Sequence, residues 1–518
     1  MAREVVTDRS GAGPATGQAR RVPTHVPWYD WPVSTSTGPA APDAQRWRVL
    51  GLCLAVGFIT MLDVSIVNVA LPSIDRALDA GPTELQLIVA GYTLAFGLAL
   101  VPAGRLGDAG GRRTLFIVGL VGFALTSLAA GLAPNDQWLA IARLLQGVSA
   151  GMLNPQVIGL IQQMFSGYER GKAFGMFGAT IGVSTALGPL LGGVILQVAG
   201  EENGWRWIFG INVPIIAVVL PLAVRFLPVT VRRPGPRRLD PVGLVLIAVA
   251  TVAVMLPFVT TSGQDDDPGR WWWLALGAAA VVAAVFWERR YQRTTGAPVL
   301  DPRVLSLTSF RNGTLLGVTY FAGFTGIFLV ATLYLQNDLQ FTPLHAGLIG
   351  MPFAIASGVA SWLAGRAVAR WGRPLVVAGL VVVLVGLGGV ILAIRATGDD
   401  SSAAGWGIAL TMMVTGIGSG TVISPNQTLT LARVPVELAG VAGSMLQLGQ
   451  RVGSAMGIAV VLSTYYSLKA GGSTGAVAAS TAMLITVALV AVSLVVAVVD
   501  LRARHAQAAP EGKVASTA

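Results

Sequence analysis

Three ionisable residues stand well inside long apolar runs of this chain: Asp63, Arg143 and Arg451. A charge in hydrocarbon is costly, so such residues face a protein interior or a watery path and are first candidates for handling ions or substrate. Asp63 is the one acid read at that depth. It lies nine residues before Pro72, which closes its run, and so roughly 13 Å deep at about 1.5 Å per helical residue. Arg143 follows the start of its own run near Gln137 by six residues, roughly 9 Å. The two charges can share a level if both helices line one cavity. A carboxylate whose protonation is tuned by desolvation against a nearby cation could carry a proton. The bland alternative is a static ion pair that joins two helices.

Such placement requires membrane helices, and the composition supplies them. Of 518 residues, 53% are hydrophobic and only 12% are charged, against about 25% charged in soluble domains. Fourteen apolar runs can be counted, the first at 48–71 and the last at 475–500, each long enough to cross a bilayer of about 30 Å. With the N-terminus inside, the outer loops hold five basic residues: Arg76, Arg206, Arg270, Arg395 and Lys469. Arg143 and Arg451 lie within runs, which leaves 28 of the 35 Lys and Arg on the inner side. That asymmetry predicts cytoplasmic termini and supports the helix count, because one missed crossing would swap the sides of every later loop. The net charge of +10 is then a feature of inner loops and gives no reason to expect nucleic acid. A single cysteine, Cys53, excludes an intrachain disulfide and a Cys-rich metal site.

The expected architecture is an all-α polytopic membrane protein with 14 transmembrane helices. Residues 1–46 read as a disordered cytoplasmic tail and 506–518 as a second one. A six-helix bundle over 47–228 and another over 312–505 flank a linker, 229–311, that contributes a hairpin of two extra helices. Two such bundles around a central cavity place a substrate site between them near mid-membrane.

Ordered motifs add detail. Between the second and third runs stands 104–113, with Gly104, Asp108, Gly111, Arg112 and Arg113. Its glycines permit a tight turn. Asp108 could satisfy backbone donors at a helix N-terminus, and the arginines could pair with acids or lipid phosphates. An ordinary basic inner loop would explain the arginines but not the ordered Gly and Asp. The fourth run carries Arg143, Gln146 and Gly147. The fifth carries Gly188, Pro189, Gly192 and Gly193 after Gly178 and Gly182, a smooth face for another helix with a proline that frees a carbonyl and bends the helix. Generic glycine packing is the competing reading.

With these motifs in place, the chain resembles the fourteen-helix drug:proton antiporter family of the major facilitator superfamily. The run 63–72 resembles that family's first-helix motif, 104–113 the loop motif, 143–147 the fourth-helix motif and 188–193 the fifth-helix antiporter motif. The run 205–214 resembles its entry to the sixth helix. The likeness covers roughly residues 47–505. It implies that Asp63 binds the proton, that Arg143 couples proton to substrate, that Asp108 latches the inner side of the halves, and that Gly188 and Pro189 favour export. Two departures stand out. Ala109 replaces a usual basic residue. In the second-half echo at 365–373, Ala369 replaces an acid, so the second half is expected to lack a charged latch.

The expected function is proton-coupled efflux of a small, amphipathic, drug-like or metabolite molecule by alternating access. Asn68, Tyr92, Gln146, Asn154, Tyr320, Phe324, Asn426, Gln450 and Arg451 are candidates to line the cavity, although helix-to-helix hydrogen bonding would serve for any one of the polar members. Partners are the substrate, protons and the lipid bilayer of the cell membrane, with the monomer as working unit. No cofactor or metal is expected, the proton gradient supplies the energy, and no Walker motif is present. An importer of the same fold, a lipid or precursor exporter and a non-transporting sensor are the alternatives. A direction assay separates the importer, and gradient collapse separates a transporter from the sensor.

Overall fold

The computed structural model describes residues 43–508 apart from 81, 201, 230–239, 262–266, 296–298, 300 and 398–400. The expected tail at 1–42, the basic loop at 230–239 and the end at 509–518 lie outside the described residues. Helix α1 (Asp43–Leu78) begins earlier than expected and takes in the last four residues assigned to the tail. It is followed by α2 (Pro82–Leu106), α3 (Arg112–Gly131), α4 (Asp136–Met164) and α5 (Gly167–Ala199). Two short helices, α6 (Gly204–Gly210) and α7 (Asn212–Phe226), make one crossing. Then come α8 (Pro241–Val259), α9 (Trp272–Thr295) and the short α10 (Pro302–Ser306). The remainder are α11 (Thr308–Leu333), α12 (Pro343–Trp371), α13 (Arg373–Thr397), α14 (Ser401–Leu431), α15 (Ala439–Ala470) and α16 (Gly475–Ala508). No strand occurs among the described residues.

Among the described residues thirteen stretches are long and apolar enough to span a membrane, and one of them, Glu84–Gly131, runs for 48 residues. As a single helix it would measure about 72 Å, more than twice a bilayer core. It contains both α2 and α3, so the crossings among the described residues number fourteen. The break is made by Gly110, whose φ of 101° suits a residue without a Cβ. Gly372, at φ 55°, makes the matching break between α12 and α13.

The packing repeats along the chain. In the first half α1 lies on α5, while α2 and α3 lie on α4. In the second, α11 lies on α15, while α12 and α13 lie on α14. The two sets meet along α5 against α12 and along α2 against α15. The extra helix α8 pairs with α9 and also touches both α2 and α15, so the hairpin sits over one seam between the sets.

The seam between α5 and α12 is built on glycine. A Cβ at Gly171 or Gly175 would press on the backbone of Gly365, and one at Gly178 would collide with the Ser361 hydroxyl. The backbones meet this closely because no side chain intervenes. Ser361 Oγ donates to the Gly175 carbonyl at 3.3 Å.

Candidate functional site

Asp63 and Arg143 meet inside the first half. Their side chains are 1% and 2% exposed, and Arg143 Nη1 lies 2.6 Å from Asp63 Oδ2. The other carboxylate oxygen accepts from Gln146 Nε2 at 2.9 Å and from Asn212 Nδ2 at 3.0 Å. Both amides also donate to Ser127 Oγ, at 2.7 and 3.3 Å. Arg143 donates further to the Ile88 carbonyl at 3.1 Å and to Gln146 Oε1 at 2.7 Å, and its guanidinium sits 4.3 Å from the Tyr92 ring centroid. Helices α4 and α7 thus donate to the carboxylate carried by α1, α3 holds the two amides through Ser127, and α2 supplies the carbonyl and the ring. Burial of a charge requires such partners, and each oxygen has at least one.

Sequence reasoning had no basis for choosing Ser127 or Asn212. Asn212 falls within the run 205–214, where its position two residues before Pro214 is the one available signal. Ser127 resembles any helix serine.

Several candidate cavity residues are placed elsewhere. Gln146 belongs to the buried network. Asn154 is buried and donates to the Ala150 carbonyl of its own helix at 3.1 Å. Asn426 is buried too, with Nδ2 on the Gly313 carbonyl at 3.0 Å and Oδ1 accepting from Arg373. Tyr92 lies beneath Arg143 with its hydroxyl buried. Tyr320 is buried and stacks on Phe324, centroids 5.6 Å apart, in a cluster that extends to Phe328 and Phe353. Phe324, Gln450 and Arg451 are half-buried, and Asn68 is exposed.

Asp63 is also not alone as a buried acid. Asp500 of α16 is 1% exposed and pairs with Arg373 Nε at 2.6 Å, while Asn312 Nδ2 donates to its other oxygen at 2.8 Å. Asp500 is the last residue of the apolar run 475–500. The second half therefore holds a charged pair despite Ala369, although both partners come from that half and tie it to itself.

The turn at 104–113 does join the halves. Asp108 accepts from the backbone N–H groups of Gly440 and Val441, both at 2.9 Å, at the start of α15. A carboxylate suits that helix terminus. Arg112 is buried, which rules out lipid phosphates. It donates to Asp108 at 2.7 Å, to Gln163 at 2.9 Å, and to the carbonyls of Gly159 and Val436 at 3.1 and 3.0 Å. A Cβ at Gly104 would strike Ser444, and one at Gly111 would lie 2.8 Å from the Leu106 carbonyl.

On α5, Gly188 and Gly192 face α1, where a Cβ would press on Ser65 and Ile66. Pro189 and Gly193 face the start of α12, near Gly347 and Leu344. Proline has no N–H for the carbonyl four residues back, that of Thr185. Ser65 Oγ donates to that carbonyl at 2.7 Å, so the group freed by Pro189 is bound by α1 two residues after Asp63.

The family model of the Major Facilitator Superfamily matches residues 53–458. The chain belongs to the major facilitator superfamily. It is 33% identical over 448 residues to a probable actinorhodin transporter of Streptomyces coelicolor, covering 86% of this chain and 77% of that one. It is 35% identical over 424 residues to the puromycin resistance protein pur8 of Streptomyces alboniger, covering 81% and 82%. It is 32% identical over 406 residues to the multidrug resistance protein Stp of Mycobacterium tuberculosis, covering 78% and 73%. The crystal structure of the human organic anion transporter MFSD10 shares the fold, with a TM-score of 0.62 at 16% identity over 87% of this chain and 100% of the other. As a member of this superfamily, the chain is a multi-pass membrane transporter of small molecules.

Proposed function

We propose that this chain is an antiporter that exports a small, amphipathic, drug-like or metabolite molecule in exchange for protons. The observation that carries the reading is the buried pair of Asp63 and Arg143, where one carboxylate is held by three donors from other parts of the bundle. Protonating Asp63 removes its charge from all three contacts at once and frees Arg143 to rely on Ile88, Gln146 and Tyr92. The helix that carries Asp63 also carries Ser65, which holds α5 beside Pro189. Proton binding is in this way linked mechanically to α5, the helix that slides along α12 as the halves change orientation. Relatives named for puromycin, multidrug and tetracenomycin C resistance or export support the outward direction. The hydrogen bonds of Asp108, Arg112 and Ser444 between the halves, all at the end that carries the 106–112 turn, support a structure closed on the inner side. The two six-helix sets are the moving bodies. The protein works as a monomer in the cell membrane with both termini in the cytoplasm, and no cofactor takes part.

Everted membrane vesicles test the reading. On energisation with a proton gradient they should accumulate a fluorescent substrate, and a protonophore should release it. Accumulation that ignores the protonophore refutes proton coupling.

A further inference from the structure

We propose that Arg451 binds the anionic group of the substrate, and that the preferred substrates are aromatic monoanions, carboxylates or phenolates. The proposal rests on the exporter reading above and deepens it. Arg451 lies twelve residues into α15, about 18 Å from its start, too deep to reach the interface by extending its side chain. It crosses to the other half. Its guanidinium is 4.8 Å from the Phe96 ring centroid on α2, and Nη2 meets Met61 Sδ of α1 at 3.9 Å. Among the described residues no carboxylate pairs with it. A thioether is a weak acceptor, so a half-buried guanidinium with five donors has one poor partner and a ring. Buried or half-buried cations at this depth are ordinarily paired.

A second observation points to the same place. Phe96 stacks on Tyr92, centroids 6.3 Å apart and planes 22° from parallel. The Tyr92 hydroxyl is buried and has no hydrogen-bond partner among the described residues. Arg143 covers the other ring of this pair. The order Arg143, Tyr92, Phe96, Arg451 is thus a continuous cation and ring stack running from the proton site to the seam between the halves. An aromatic substrate can extend the stack, and its anionic group can take the free donors of Arg451.

Charge agrees. Asp63, Arg143 and Arg451 sum to +1 while Asp63 is ionised, which attracts a monoanion and repels multiply charged cations. The anion and the proton do not compete for one atom. Exchange requires only that each occupy the site when it faces the opposite side of the membrane.

Three probes that share one ring system test this: anthracene-9-carboxylate, its methyl ester, and 9-(aminomethyl)anthracene as the cation. Binding to the purified full-length protein is read by fluorescence, and transport in everted vesicles with and without protonophore. The unaltered protein should favour the carboxylate over both other probes. R451Q should lower the carboxylate-to-ester affinity ratio about tenfold, the loss expected for one charge-assisted hydrogen bond, and R451K should restore part of it. An unaltered protein that fails to bind the carboxylate, or prefers the cation, overturns the assignment. So does R451Q lowering both affinities equally. Carboxylate binding that follows these rules while transport ignores the protonophore would leave the Arg451 site standing and remove the proton-coupled reading.

Discussion

Replacing Asp63 by Asn changes one atom and tests the coupling directly. In the structure both carboxylate oxygens face donors: Arg143 Nη1 at 2.6 Å on one side, Gln146 Nε2 and Asn212 Nδ2 at 2.9 and 3.0 Å on the other. Whichever way the introduced amide turned, its NH2 would meet another donor. Breaking a buried ion pair by removing one partner costs about 3–5 kcal/mol. The loss here should fall near the low end, because Arg143 keeps the Ile88 carbonyl, Gln146 Oε1 and the Tyr92 ring. An asparagine also resembles the protonated carboxylate that the cycle must visit, so the fold should survive. Function should not. One proton moving down 100 mV releases about 2.3 kcal/mol, enough to sustain about a 50-fold gradient of a neutral substrate. D63N protein, matched for amount in the membrane, should bring that ratio to one in energised everted vesicles while still binding substrate. D63E, which keeps a carboxylate, should stay protonophore-sensitive at a lower rate. Gradient-dependent accumulation by D63N would show that the proton is carried elsewhere and that the Asp63–Arg143 pair is only a brace.

Other perturbations read other parts of the structure. Gly188→Val forces α5 away from Ser65, so export should fall far more than the amount of folded protein, and unchanged efflux would return the motif to generic packing. Asp108→Ala removes the cap on α15 and the carboxylate that Arg112 meets. Cysteine pairs placed across the inner seam should then cross-link more slowly than in the unaltered protein, and an unchanged rate argues against a latch. Arg373→Leu takes the guanidinium away from the buried carboxylate of Asp500, at a cost of about 3–5 kcal/mol. The purified protein should unfold at a clearly lower temperature, and no shift would mean the pair is not worth what its burial implies.

The fourteen crossings were legible in the sequence because the constraint behind them is local. A bilayer demands a run of apolar residues whose backbone bonds are satisfied within one helix, and no distant residue can relax that demand. Asp63, Arg143 and Arg451 were legible for the same reason, since a charge in such a run is conspicuous whatever surrounds it. A tight turn within 104–113 was legible from its glycines, but that Gly110 and Gly372 are the residues at positive φ was decided by the structure. What the tertiary structure alone decided is which neutral polar groups meet these charges. Asn212 reaches Asp63 across 149 residues and Ser65 reaches Thr185 across 120. Asp500 finds Arg373, and Asn426 turns from cavity candidate to brace. Ser, Asn and Gln occur in most crossings and can bond to their own helix or to any neighbouring one, so their type carries little information about which group they meet. Their roles follow from the relative rotation and height of whole helices, quantities set by glycine contacts and side-chain packing between elements distant in the chain.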